Sequence, residues 1–141
     1  MRQQFIQFFI TVLLSFISFN MVQGAPIYHH SIEKRVEKYK GQATFFFPDT
    51  EGGPYGACGP KEDENSLIVA LNHEQYGNMS SKSKWCGKKI RVEGKAGSMD
   101  VTINDACPGC GYGDLDLTPA VFEKVVGKFK LGVGPITWYL I

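Results

Sequence analysis

Asn104-Asp105-Ala106-Cys107-Pro108-Gly109-Cys110 is followed almost at once by Gly113-Asp114-Leu115-Asp116-Leu117-Thr118-Pro119, and the fold turns on how these two stretches are read. Just upstream, Met99, Val101 and Ile103 alternate with Asp100, Thr102 and Asn104, the period of a strand with one buried face. On the parity of those apolar residues Asp105 ends the strand and stands at the mouth of whatever it helps to enclose. Leu115 and Leu117 flank Asp116, which points the opposite way. Thr118 is placed to cap a helix through its hydroxyl, and Pro119 suits the first helical position, where its missing N–H is harmless. Val121, Phe122 and Val125 then form a packing face, and Gly127 falls where a left-handed C-terminal residue belongs. A helix starting two residues on favours the ionised form of Asp116.

Working outward, Ile90 and Val92 share one face of Lys88–Glu93, and Gly94–Gly97 makes a turn into the next strand, so these runs form a hairpin. Leu67–Leu71 is a short continuous apolar run, as in a strand covered on both faces. Gly41–Phe47 is β-prone and stops at Pro48, and Ile136, Trp138 and Leu140 alternate in a last strand after Pro135. Asp49–Pro60 and Asn72–Ser83 read as loops, the first rich in glycine and proline and the second polar. Short strands, many glycines and one short helix make a mainly β protein, a small closed barrel.

The chain opens with the pattern of a secretory signal. Arg2 precedes an apolar run from Phe5 to Phe19, and small residues mark a cut after Gly24. The run is shorter than the roughly 20 residues of a membrane span, so no membrane contact is expected once it is removed. Residues 25–40 read as a propeptide or linker. Lys34-Arg35 within it is a dibasic pair of the kind that processing proteases cut, and a cut there takes His29 and His30 away. Residues 41–141 make the domain, in line with a length that allows one. From Val36 onward there are twelve Lys/Arg and thirteen Asp/Glu, so nothing points to nucleic acid or anionic lipid. Cys58, Cys86, Cys107 and Cys110 all follow the signal, and an even count in an exported small domain reads as two disulfides. Cys107-Pro108-Gly109-Cys110 also has zinc-knuckle spacing, but Cys58 and Cys86 stand alone and the compartment is oxidising, so no metal and no cofactor is expected. Asn78-Met79-Ser80 is an N-glycosylation sequon.

Seven blocks, in order, resemble the double-psi β-barrel of expansins, barwins and the rare lipoprotein A family. They are Gly41–Phe46, Gly56-Ala57-Cys58-Gly59, Ile68–Asn72, Trp85–Ile90, Asn104–Cys110, Gly113–Pro119 and Pro135–Trp138. The nearest likeness is to single-domain expansin-like proteins of fungi and bacteria, the papain-inhibitor type included. The resemblance implies six strands, one short helix, and disulfides Cys58–Cys86 and Cys107–Cys110; a monomer is expected. Spacing alone leaves three connectivities open. The carbohydrate-binding second domain of full expansins has no counterpart before Ile141.

The same resemblance puts Thr44, Asp105 and Asp116 in a polysaccharide groove. Trp85, Tyr55 and Tyr112 sit among glycines and polar residues where a ring can stack on a sugar, although Trp85 fits equally well beside the Cys86 disulfide. Tyr112, between Gly111 and Gly113, is the surface ring expected to stack. Asp105, Asp116 and His73 are the candidates for acid/base work. In the related family 45 glycoside hydrolases the slot of the general base corresponds to Pro48 here, with Asp49 one residue late, so hydrolysis lacks its base unless Asp49 or Asp105 substitutes. Asp105 also has the ordinary alternative of a carboxylate that bonds nearby backbone amides. The expectation is a secreted, non-hydrolytic binder of cell-wall polysaccharide. The alternatives are a module that binds a cysteine protease or host protein through loops Asp49–Pro60 and Asn72–Lys84, and a lytic transglycosylase or glycosidase using Asp105 or Asp116.

Overall fold

The computed structural model describes residues 35–141. The expected signal peptide (1–24), residues 25–34 of the expected linker, His29 and His30 lie outside the described residues. Six strands, β1 (Lys38–Phe45), β2 (Ile68–Asn72), β3 (Lys89–Gly94), β4 (Ser98–Cys107), β5 (Leu115–Leu117) and β6 (Gly134–Leu140), close into a barrel in the order β1-β5-β2-β4-β3-β6. β1–β5 and β2–β4 are parallel and the remaining neighbours antiparallel. One turn of helix, α1 (His73–Tyr76), follows β2, and α2 (Pro119–Val125) follows β5.

Alternation builds the interior. Val69, Leu71, Ile90, Val92, Val101, Ile103, Leu115, Leu117, Ile136 and Trp138 all point inward, and Val121, Phe122 and Val125 of α2 pack on the same core. The Trp138 indole is fully buried and donates to the Gly113 carbonyl, so its one polar atom is satisfied. β1 and the segment before β5 pass so closely that a Cβ on Gly41 would collide with the Gly113 carbonyl. Cys58 is bonded to Cys86 and Cys107 to Cys110, as the resemblance implied.

Four local readings change. β1 starts at Lys38, so the last three residues of the expected 25–40 linker are strand, paired with Thr137–Tyr139. Thr118 holds the N-cap position of α2 without a side-chain cap bond, because its buried hydroxyl donates to the Ser66 carbonyl instead (2.6 Å). The segment after Asn72 starts as helix because Asn72 Oδ1 accepts from the Gln75 amide and buried Tyr76 anchors the turn. Asp105 lies inside β4, which runs to Cys107. Between the pairs Val69–Ile103 and Ala70–Asp105 the register skips Asn104, a bulge that breaks the parity of the strand.

Candidate functional site

The bulge decides where Asp105 points. Strict alternation would put it on the inward side with Val101 and Ile103. The extra residue, Asn104, is itself buried, and Asp105 comes to face the same side as its partner Ala70. Ala70 is also the register partner of Asp116, and Asp116 that of Thr44. Asp105, Ala70, Asp116 and Thr44 therefore form one row across β4, β2, β5 and β1. Neighbouring strands are about 4.8 Å apart, so the backbones of the two aspartates are roughly 10 Å apart. Ala70, small enough to leave room above it, is the floor between them.

Asp105, Ala70 and Asp116 of this row line an open groove of about 470 Å³ together with Glu51, Tyr55 and Phe46, among others, whereas Thr44 lies outside the lining and meets it through Asp116. Asp116 Oδ1 accepts from the Thr44 hydroxyl at 2.7 Å. Asp105 Oδ1 accepts from the amides of Ala57 (2.6 Å) and Ala106 (2.8 Å), which leaves Oδ2 without a partner among the described residues. The backbone-bonding role of Asp105 and its place in the groove thus coexist. Burial above all, and the nearby charges of Glu51 and Asp105, raise the Asp116 carboxyl above the ordinary aspartate range, against the pull of the Thr44 bond. The expectation that the helix N-terminus holds Asp116 ionised is thus reversed, because desolvation of the side chain outweighs the groups that favour its charge. No lysine or arginine lines the groove, so the three carboxylates Glu51, Asp105 and Asp116 set its sign.

The remaining candidates separate. His73 opens α1, is exposed, lies outside the groove lining and has Nδ1 2.9 Å from the Cys110 carbonyl, to which it donates. Tyr112 is 58% exposed but leans edge-on against Tyr39 and is not among the groove-lining residues. Trp85 is 8% exposed and packs edge-on against Tyr39 and Trp138, so it belongs to the core beside its disulfide. Pro48 is buried, and Asp49 sits in an exposed turn outside the groove lining.

Glu51 and Glu62 escape a reading of sequence patterns, and Tyr55 is legible there only as one of three loop rings able to stack, with Tyr112 preferred. Glu51 reaches the groove because the turn after β1 folds back, with its Oε2 accepting from the Phe47 amide at 2.7 Å. Tyr55, 66% exposed, presents the groove's open ring. Glu62 is 2% exposed behind the wall. The glycine-rich setting that marks Tyr55 in the sequence also marks Tyr112, so it does not say which ring reaches the groove.

No family model matches the chain. It is 33% identical over 87 residues to an Allergen Asp f 7 homolog from Arthroderma benhamiae, an alignment covering 61% of this chain and 28% of that protein. It is 29% identical over 108 residues to the papain inhibitor of Streptomyces mobaraensis, covering 74% of this chain and 73% of the inhibitor. Among solved structures it is similar to the Streptomyces papain inhibitor, with a TM-score of 0.62 at 26% identity over 76% of this chain and 97% of that one. It is also similar to a mutant expansin from Clavibacter michiganensis in complex with cellohexaose, with a TM-score of 0.63 at 26% identity, covering 74% of this chain and half of the expansin. Six strands closed into a barrel and two disulfides, together with these relatives, give the chain the double-psi β-barrel fold of the expansin-like proteins to which it is similar.

Proposed function

We propose that the groove binds a strand of cell-wall polysaccharide outside the cell and does so without cutting it. The observation that carries this is the register row Asp105–Ala70–Asp116, which sets two carboxylates along an open trough with the Tyr55 ring at its side and Thr44 bonded to Asp116. Asp105 Oδ2 and the Asp116 carboxyl accept from sugar hydroxyls, and Tyr55 stacks on a sugar face. Such bonds replace those between neighbouring polymer chains and loosen the wall. The Pro48 slot supplies no base to activate water. Cellohexaose bound to the similar expansin supports the reading. Two disulfides fit an oxidising, extracellular setting. A pull-down on cellulose, chitin and mixed plant wall tests it. The wild type is retained on at least one of them and Asp116→Ala is retained less; equal absence of retention for both proteins ends the proposal.

The papain inhibitor favours a second reading, because the chain covers nearly the whole of its structure and only half of the expansin. In that reading the loops 49–60 and 72–84 contact a cysteine protease. Titrating papain separates the two: unchanged protease activity at excess protein removes inhibition of that enzyme.

A further inference from the structure

Behind the groove wall, Glu62 is 2% exposed and neither of its carboxyl oxygens has a hydrogen-bond partner among the described residues. The cavity it occupies is made by Gly56, since a Cβ there would collide with Glu62 Oε1 and crowd the Asn104 carbonyl. The adjoining loop residues fasten the groove wall. Ala57 N–H donates to Asp105 Oδ1, and Cys58 N–H donates to the Asn104 carbonyl at 3.0 Å. Glu62 closes the loop from the other side, its own amide donating to Pro54 and the Gly56 amide donating to Pro60.

We propose that Glu62 is a positioning residue for Asp105: as a neutral acid it lets the Gly56–Cys58 loop lock onto Asp105 and Asn104, and on losing its proton it loosens that lock. The physical cause is a buried charge that makes no full hydrogen bond and has only the Asn104 side chain near enough to favour it, set beside a second carboxylate. Burial first, and then the charge of Asp105, push the Glu62 pKa up to about 7, against a smaller downward pull from Asn104. Asp105 on β4 is the charged group that acts on Glu62; its chain neighbours Lys61 and Asp63 are exposed, and Glu51 and Asp116 lie in the groove beyond. The switch stands on the loop and β4 alone. Only its consequence, a groove that changes near neutrality, rests on the binding reading above.

NMR of the secreted protein tests this. The Glu62 carboxyl carbon titrates near pH 7, and the Ala57 amide proton, which reports its bond to Asp105, shifts with the same midpoint. Exchange of the Ala57 and Cys58 amides, corrected for intrinsic base catalysis, speeds up about tenfold across that midpoint. In Glu62→Gln and Glu62→Met both transitions vanish while the Arg91–Asp100 hairpin is unchanged. A Glu62 carbon that titrates as an ordinary glutamate overturns the proposal. An Ala57 transition that survives in either variant overturns it as well. Failure to bind any polysaccharide with these transitions intact would count against the groove's function and support the switch.

Discussion

Thr44 and Asp116 are 72 residues apart in the chain and 2.7 Å apart in the fold. Losing that bond in Thr44→Val costs about 1 kcal/mol of stability, measured by denaturant unfolding, and raises the Asp116 pKa further by removing the donor that lowers it. Glu62 carries a larger pH effect. Its folded value of about 7 lies above the 4.5 of a free glutamate, so the native state keeps a proton that the unfolded chain gives up. The associated stability is fully present below about pH 4.5 and lost as pH rises to about 7, which amounts to roughly 3 kcal/mol for a single group. Unfolding free energy measured from pH 4.5 to 8 falls in the wild type and falls less in Glu62→Gln; equal slopes would contradict the assignment. Residues in the family's blocks were legible at this scale. Asp105 and Asp116 share the groove wall, with Thr44 bonded to Asp116 at its edge, because each occupies a strand position whose register follows from the fold. Glu51, Tyr55 and Glu62 belong to a loop with no periodicity, so nothing local marks one glutamate as a groove group and another as a buried acid.

At the level of elements, the hairpin β3–β4, the buried strand β2 and the helix α2 follow from alternation, a continuous apolar run and Pro119. The bulge at Asn104 does not, because a polar residue after three alternating apolar ones looks like the end of a strand. Only the pairing with β2 shows that the strand continues and reverses its faces. Thr118 teaches a similar lesson, since a hydroxyl at an N-cap has a competing acceptor whenever another chain segment passes close, here Ser66. The disulfides differ in what they brace. Cys58–Cys86 spans 28 residues and ties the groove loop to the core, whereas Cys107–Cys110 spans three. Loop-closure entropy gives about 3–4 kcal/mol for the long bridge and about 2 kcal/mol for the short one. The paired Cys58→Ser/Cys86→Ser variant therefore loses more in denaturant midpoint than Cys107→Ser/Cys110→Ser. The reverse order would mean that the long bridge is strained or that the unfolded chain is already compact there.

On the scale of the whole molecule, closing six strands in the order β1-β5-β2-β4-β3-β6 interleaves the two halves of the chain. β2 comes to lie between β4 and β5, and that placement, with the bulge at Asn104, sets two distant aspartates on either side of Ala70. The two cysteine pairs and the barrel were legible because they follow from the family's order of blocks. Which exposed ring shares the trough was not, since Tyr55 and Tyr112 differ only in where their loops lie over the barrel. Removing both groove charges in Asp105→Asn/Asp116→Asn should weaken polysaccharide binding by roughly ten- to a hundredfold, the effect of losing one or two charge-assisted hydrogen bonds. The most direct measurement is an NMR titration of the protein with cellohexaose and with chitohexaose, mapping amide shifts residue by residue. At least one of the two sugars perturbs Thr44, Tyr55, Ala57, Ala70, Asp105 and Asp116 together, and the double variant loses the response. Shifts confined to the His73 and Tyr112 side, or no shifts with either sugar, would contradict binding in the groove.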